Sequence, residues 1–219
     1  MRRDIITAAI GIIVFTILLG LVYPLFITGV SQVAFPGNAN GQQIHIGGKL
    51  VGSKIIGQAF ADPKVKNGKV VEEKGAVVTE PDPRYFQTRP SATEGGADNA
   101  AASTFSNLGP NGKATEEAIA EHIKGYLELE GPYNPGLSAG GVPVDAANSS
   151  ASGLDPEISP ANARIQAHRI ASVRHLSLAT VDALISKYTD ARGIGFSGEP
   201  GVNALELNLA LDRLTGVTH

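Results

Sequence analysis

From Ile5 to Ile27 the chain reads IITAAIGIIVFTILLGLVYPLFI, 23 residues without a charge. As a helix rising about 1.5 Å per residue it spans roughly 35 Å, enough to cross a hydrocarbon layer of about 30 Å with some tilt. Arg2 and Arg3 stand directly before this run, and the next basic residue is Lys49. Basic flanks stay on the cytoplasmic side. The expected layout is a cytoplasmic N-terminus at 1–4, a transmembrane helix at 5–27, and an exported remainder. Tyr23 and Pro24 suit an anchor at the outer interface. A cleaved signal peptide competes with this reading, since Gly29-Val30-Ser31 offers small residues at cleavage spacing. Its apolar region would normally span only about 7–15 residues, which favours an uncleaved anchor. No later stretch approaches a second span.

Small residues could let a neighbouring helix approach this one: Thr7 with Gly11, and Thr16 with Gly20. At about 100° per residue the two pairs fall on opposite faces. The plainer reading is that small residues are common in membrane helices.

Residues 28–48 read as a linker, rich in Gly, Asn and Gln after Ala34. Residues 49–219 read as one soluble domain outside the cytoplasm. Lys49 to Phe60 predicts a strand and turn, Asp62 to Asp82 a solvated hairpin-like excursion, and Pro81 to Pro110 an ordered loop. Thr115 to Leu129 predicts a helix capped by Thr115, with an apolar stripe of Ala118, Ile119, Ile123 and Leu127. Gly131 to Gly141 breaks the chain. Ser159-Pro160 opens a second helix to about His175, and Ser177 caps a third to Tyr188. The last segment, Val202 to Leu214, alternates Leu205, Leu207, Leu209 and Leu211 like a strand. Asn203 followed by Glu206 resembles a capping box, with Val202 placed to staple onto Leu207, and this favours helix. The fold class expected is α+β, one N-terminal transmembrane helix followed by a single soluble α+β domain.

With no cysteine in 219 residues, disulfides, thiolate metal sites and a cysteine nucleophile are excluded. A net charge of −3 without a basic block gives no footprint for nucleic acid. Gly193-Ile194-Gly195-Phe196-Ser197-Gly198 matches the spacing of a dinucleotide loop. It follows a helix instead of a strand, and Pro200 comes next, so it reads as a turn. Gly109-Pro110-Asn111-Gly112-Lys113-Ala114 is too short for a phosphate loop and lacks the metal-binding hydroxyl. His45, His122, His168, His175 and His219 show no zinc-protease spacing. His168 and His175 could share a helix face, with solvated surface the plainer fate. Asp155 and Glu157 invite a general acid/base reading, but Ser-Gly-Leu-Asp-Pro-Glu-Ile-Ser-Pro is turn and cap chemistry.

Several blocks occur in a distinctive order: Gly52-Ser53, Ile56-Gly57-Gln58 and Phe60; Tyr85-Phe86 and Arg89-Pro90-Ser91-Ala92; Ser106-Asn107-Leu108-Gly109-Pro110; Ser152-Gly153-Leu154-Asp155-Pro156 and Ile158-Ser159-Pro160; Gln166, Arg169, Ile170, Ala171 and Arg174; Val202-Asn203 and Leu205 to Asp212. Behind one N-terminal anchor, this order resembles the C subunit of the Kdp high-affinity potassium-transporting ATPase over nearly the whole chain. Thr104-Phe105 stands where that family tends to have paired glycines. Gly201 and Ala204 replace bulkier residues, and 61–83 and 131–141 are extended.

The resemblance implies a non-catalytic accessory subunit in the cell membrane of a prokaryote. Its partners would be a channel-like potassium-binding subunit, a P-type ATPase subunit and membrane lipid. ATP and potassium would be handled through the complex, with no cofactor bound by this chain alone. The family is described as a catalytic chaperone that raises ATP affinity in the ATPase subunit. An exported domain cannot touch a cytoplasmic nucleotide across about 30 Å of hydrocarbon, so such an effect would pass through membrane helices. As partner contacts, Tyr85, Phe86 and Arg89 have the composition of an interface anchor, followed by Arg169 and Arg174; internal packing is an equal reading. Two rival functions remain open: a membrane-anchored extracytoplasmic hydrolase using Asp155 or Glu157, and a solute-binding module.

Overall fold

The structure is a computed structural model that describes residues 1–73, 76–93, 99–104 and 106–217. Phe105 and His219, and parts of the loop expected between Pro81 and Pro110, lie outside these residues. The chain divides into two compact units, Met1–Ser53 and Lys54–His219. Both are helix and strand together, the first around a long apolar helix, the second an α+β body.

In the first unit, α1 (Arg2–Ile17) runs into a π turn at Leu18–Val22 and on into α2 (Tyr23–Ala34). The resulting helix, Arg2–Ala34, has a mean hydropathy of 2.8 over its most apolar window and packs none of it inside the protein. It is long and apolar enough to cross a membrane. It outruns the expected 5–27 span because Pro24 does not break it. Pro24 has no N–H for the carbonyl four residues back, and the π turn just before it widens the ladder, with Tyr23 N–H donating to Leu18 O. The stretch read as a linker is also more ordered than expected. After a helical turn, α3 (Pro36–Ala39), β1 (Gln43–Ile46) pairs antiparallel with β2 (Lys49–Ser53). The Gly47-Gly48 turn, both at positive φ, closes this hairpin.

The second unit begins with nested hairpins. β3 (Ala61–Pro63) pairs with β8 (Thr79–Pro81) and encloses two smaller ones, β4 (Val65–Lys66) with β5 (Lys69–Val70) and β6 (Glu72–Glu73) with β7 (Ala76–Val77). Next comes α4 (Lys113–Glu130), which starts two residues before the expected cap. Gly112 is the N-cap, and Thr115 sits inside the first turn with its hydroxyl donating back to Gly109 O. Its apolar stripe of Ala118, Ile119, Ile123 and Leu127 is half-buried. Two 3-10 turns and α5 (Val144–Ala147) follow.

The core lies under α6 (Pro160–Val173), α7 (Leu178–Lys187) and α8 (Ala204–Thr215). Their caps follow the residue types: Ser159 Oγ accepts from Asn162 N–H, Ser177 Oγ from Thr180 N–H, and Asn203 Oδ1 from Glu206 N–H. The Glu206 carboxylate pairs with Lys54 at 2.6 Å. α6 ends before His175, so His168 and His175 do not share it, and both are exposed. β9 (Glu157–Ile158), β10 (Thr189–Asp190) and β11 (Gly201–Asn203) form a sheet in the order β10-β11-β9. Ile158, Ile170, Val181, Ile185, Val202, Leu207 and Leu211 fill the core, with Phe86 inserted among them. Val202 and Leu207 thus share the core as the staple requires. α8 is buried on nearly every face, so an alternation of leucines could sit on a helix without exposing them.

Asn208 is buried in the middle of α8, and its amide holds Phe86. Asn208→Ala should lower stability by about 1–3 kcal/mol, read as a fall in melting temperature of the detergent-solubilised chain.

Candidate functional site

Residues 82–93 leave the hairpins and cross the domain without regular secondary structure. Their backbone groups therefore need side-chain partners. Two amides act as a surrogate ladder. Phe86 N–H donates to Asn208 Oδ1 (2.8 Å), and Asn208 Nδ2 donates to Phe86 O (2.9 Å). Gln87 N–H donates to Gln166 Oε1 (2.7 Å), and Gln166 Nε2 donates to Gln87 O (3.1 Å). Arg169 supplies the third clamp. Its guanidinium donates to Pro83 O, to Tyr85 O (2.9 Å), to Gln166 Oε1 (3.1 Å) and to Glu130 Oε1 (2.9 Å).

Charge is placed with the same economy. Asp82 accepts the Arg84 backbone N–H at 2.8 Å and its guanidinium at 2.6 Å. Burial alone would raise the Asp82 carboxyl, but the hydrogen bonds and charge of Arg84 hold it below the usual carboxylate range. Burial pushes the Glu130 carboxyl up, and the Arg169 charge only partly offsets it. Burial, then the charges of Asp155 and Asp190, push Glu157 up. Tyr85 stacks on Phe60 with ring centroids 5.0 Å apart, and the Arg174 guanidinium lies 4.6 Å from the Tyr85 ring centre. Arg174 also pairs with Asp212 at 2.7 Å.

On the far side of this crossing, Arg89 Nη1 donates to Asp155 Oδ2 (2.9 Å), while Asp155 Oδ1 accepts Glu157 N–H (3.0 Å). Ser91 Oγ donates to Gly153 O (2.8 Å), and Gly57 N–H donates to Leu154 O (2.8 Å). A Cβ at Gly57 would lie 2.6 Å from Asp155 O, and one at Gly153 would collide with Thr93 Oγ1. Two adjoining grooves of about 790 and 380 Å³ share Arg89, Ser91 and His122. His122 Nδ1 lies 2.8 Å from Ala147 O.

The five residues expected as partner contacts thus separate. Phe86 and Arg169 are 0% exposed and serve internal packing, the alternative held open for them in the sequence. The Arg174 side chain is also covered. Tyr85 and Arg89 are half-buried and reach the surface in part. Thr7, Gly11, Thr16 and Gly20 lie on the apolar helix; Gly11 has open space where a Cβ would sit, and Thr16 Cγ2 is 4.0 Å from that position at Gly20. Asp155 and Glu157, the acid/base pair of the hydrolase reading, are a turn and a strand residue held by Arg89 and the sheet. The reading missed Glu130, Gln166 and Asn208. Gln166 and Asn208 stand within the distinctive blocks, whereas Glu130 lies outside them and only its remote partner Arg169 marks it.

Several of the distinctive blocks meet in these contacts: Phe86 with Asn208, Arg89 with Asp155, and Ser91 with Gly153. A family model described as K+-transporting ATPase, c chain, matches residues 5–213. The potassium-transporting ATPase KdpC subunit of Mycobacterium bovis (strain BCG / Pasteur 1173P2) is 44% identical over 214 residues, covering 98% of this chain and all of the relative. That of Methylococcus capsulatus is 44% identical over 207 residues, 94% of this chain and 96% of its own. That of Koribacter versatilis is 41% identical over 212 residues, 97% and 95%. The chain belongs to the KdpC family.

In this KdpC chain the departures from the family pattern have visible surroundings. A Cβ at Gly201 would run into the Glu157 carboxylate, so the small residue makes room for that side chain. Within the extended 131–141 segment, Asn134 Nδ2 donates to Glu130 O (2.9 Å) and Ile165 O (3.2 Å), tying the insertion to α4 and α6.

Replacing Arg169 by Met should cost about 3–5 kcal/mol, since Glu130 would be left buried and unpaired; a thermal melt of the purified chain reads it. Asp82 contributes stability above its unfolded pKa of about 3.9, and that contribution is lost as pH falls through its lowered folded value. Asp82→Asn should therefore melt below the unaltered chain at pH 7, with the gap closing only below about pH 4.

Proposed function

We propose that this chain is a non-catalytic accessory subunit of an ATP-driven potassium uptake system. In this reading it is held in a prokaryotic cell membrane by the helix Arg2–Ala34, with residues 54–219 outside the cytoplasm. It assembles with a channel-like potassium-binding subunit and a P-type ATPase subunit, steadies the pair, and raises the ATP affinity of the ATPase subunit as a catalytic chaperone. The observation that carries the reading is the family match over residues 5–213. The named relatives are subunits of a potassium-transporting ATPase. Both oxygens of Asp155 are engaged within the domain, by Arg89 and by the Glu157 N–H, which supports a role without turnover for that residue.

The orientation rests on Arg2 and Arg3 preceding the apolar run. With the C-terminal unit outside, any influence on ATP must travel as a coupling between states of the assembly. Tyr85 and Arg89 are the contact residues retained from the sequence. Thr7, Gly11, Thr16 and Gly20 are the retained positions for helix packing.

The chain has no cysteine, so Glu128→Cys adds a single thiol at an exposed position of α4. A membrane-impermeant maleimide should label it in intact cells. Labelling only after lysis would reverse the orientation. Omitting the chain from the assembled transporter should raise the KM for ATP several-fold; an unchanged KM removes the chaperone role.

A further inference from the structure

Residues 193–198, which match a dinucleotide loop in spacing and not in context, have a different use. Gly193 N–H donates to Ser197 O (2.7 Å) and Ser197 N–H to Gly193 O (2.8 Å), closing the loop on itself. Arg192 and Glu199 pair across its base at 2.6 Å. At the tip, Ile194 is 91% exposed and Phe196 is 77% exposed. Ile194 adopts φ +54°, a left-handed conformation that a β-branched residue rarely enters. Gly195 (φ +82°) and Gly198 (φ +80°) supply the conformations that let the turn close around it.

We infer that this loop is a preformed apolar knob that seats Ile194 and Phe196 in a concave apolar pocket on another protein subunit of the ATPase. The inference rests on the accessory-subunit reading above. Two exposed apolar side chains on a floppy loop would need no explanation. Here the backbone is clamped twice and held in a strained conformation, and such strain collects where a fixed geometry is used. A shaped protein pocket rewards that rigidity, because the knob loses little freedom on docking. A fluid acyl layer accepts apolar groups in any orientation and rewards none of it.

The test uses the full-length tagged chain co-expressed with the other ATPase subunits. Ile194→Ser and Phe196→Ser should each weaken retention of the complex on the order of tenfold, the loss expected for one buried apolar side chain, and more together. Both positions are exposed, so the melting temperature should stay within a degree or two. If the double variant holds its partners as firmly as the unaltered chain, the knob is overturned. A photo-crosslinking phenylalanine analogue at position 196 gives an independent readout without disturbing the loop. A crosslink to another ATPase subunit supports the inference; crosslinks only to lipid, only to a second copy of this chain, or to nothing overturn it. If the unaltered chain itself retains no ATPase subunit, the accessory-subunit reading fails, and the knob fails with it.

Discussion

Arg169 and Glu130 are both removed from water, and an ion pair so placed is favourable only when the remaining donors and acceptors are also engaged. Here the guanidinium reaches past Glu130 Oε1 to two carbonyls of the 83–87 crossing and to the Gln166 side chain, while Glu130 Oε2 is buried without a hydrogen-bond partner, in keeping with the upward push on that carboxyl. The crossing has no ladder of its own: Asn208 and Gln166 supply donors for Phe86 O and Gln87 O, and Arg169 supplies them for Pro83 O and Tyr85 O. The ion pair and the loop therefore depend on each other. Once the loop is fixed, Phe86 can enter the core between α6 and α8, and Asn208 can close over its backbone. Loop conformation, helix packing and core composition all follow from one buried cation.

This dependence explains why the site was only half legible. Helix starts could be read locally, because Ser159, Ser177 and Asn203 each act on an N–H three residues away. The apolar run was legible from composition alone. Phe86 and Arg169 were not, since an aromatic beside an arginine is the composition both of a docking patch and of an internal clamp. The difference lies in partners such as Asn208 and Glu130, remote in sequence. β1 was missed because its alternation of Gln43, Ile44, His45 and Ile46 covers only four residues inside a Gly- and Asn-rich stretch.

The contacts also account for where the family resemblance falls. Gly57 and Gly153 sit where a side chain would strike Asp155 O or Thr93. The segments around 57, 91 and 153 thus close on each other at backbone distance, and a substitution in one cannot be absorbed by the others. The segments 61–83 and 131–141, read from the sequence as extended, lie outside these closures.

The apolar helix obeys a stricter version of the same accounting. In hydrocarbon a carbonyl without a partner costs several kcal/mol, because no water can replace the lost donor. Pro24 leaves such a carbonyl at Gly20, and the π turn at Leu18–Val22 rearranges the ladder immediately before it. The whole helix, Arg2–Ala34, is 33 residues, about 50 Å, well beyond a hydrocarbon thickness of about 30 Å. A helix of that length tilts, projects into water, or does both. At its C-terminal end Gln32 exchanges amide hydrogen bonds with Asn40, at 3.3 and 3.2 Å. No Asp, Glu, Lys or Arg occurs between Ile5 and Ala34, so charge limits the apolar helix only at its N-terminal end, where Arg2, Arg3 and Asp4 stand.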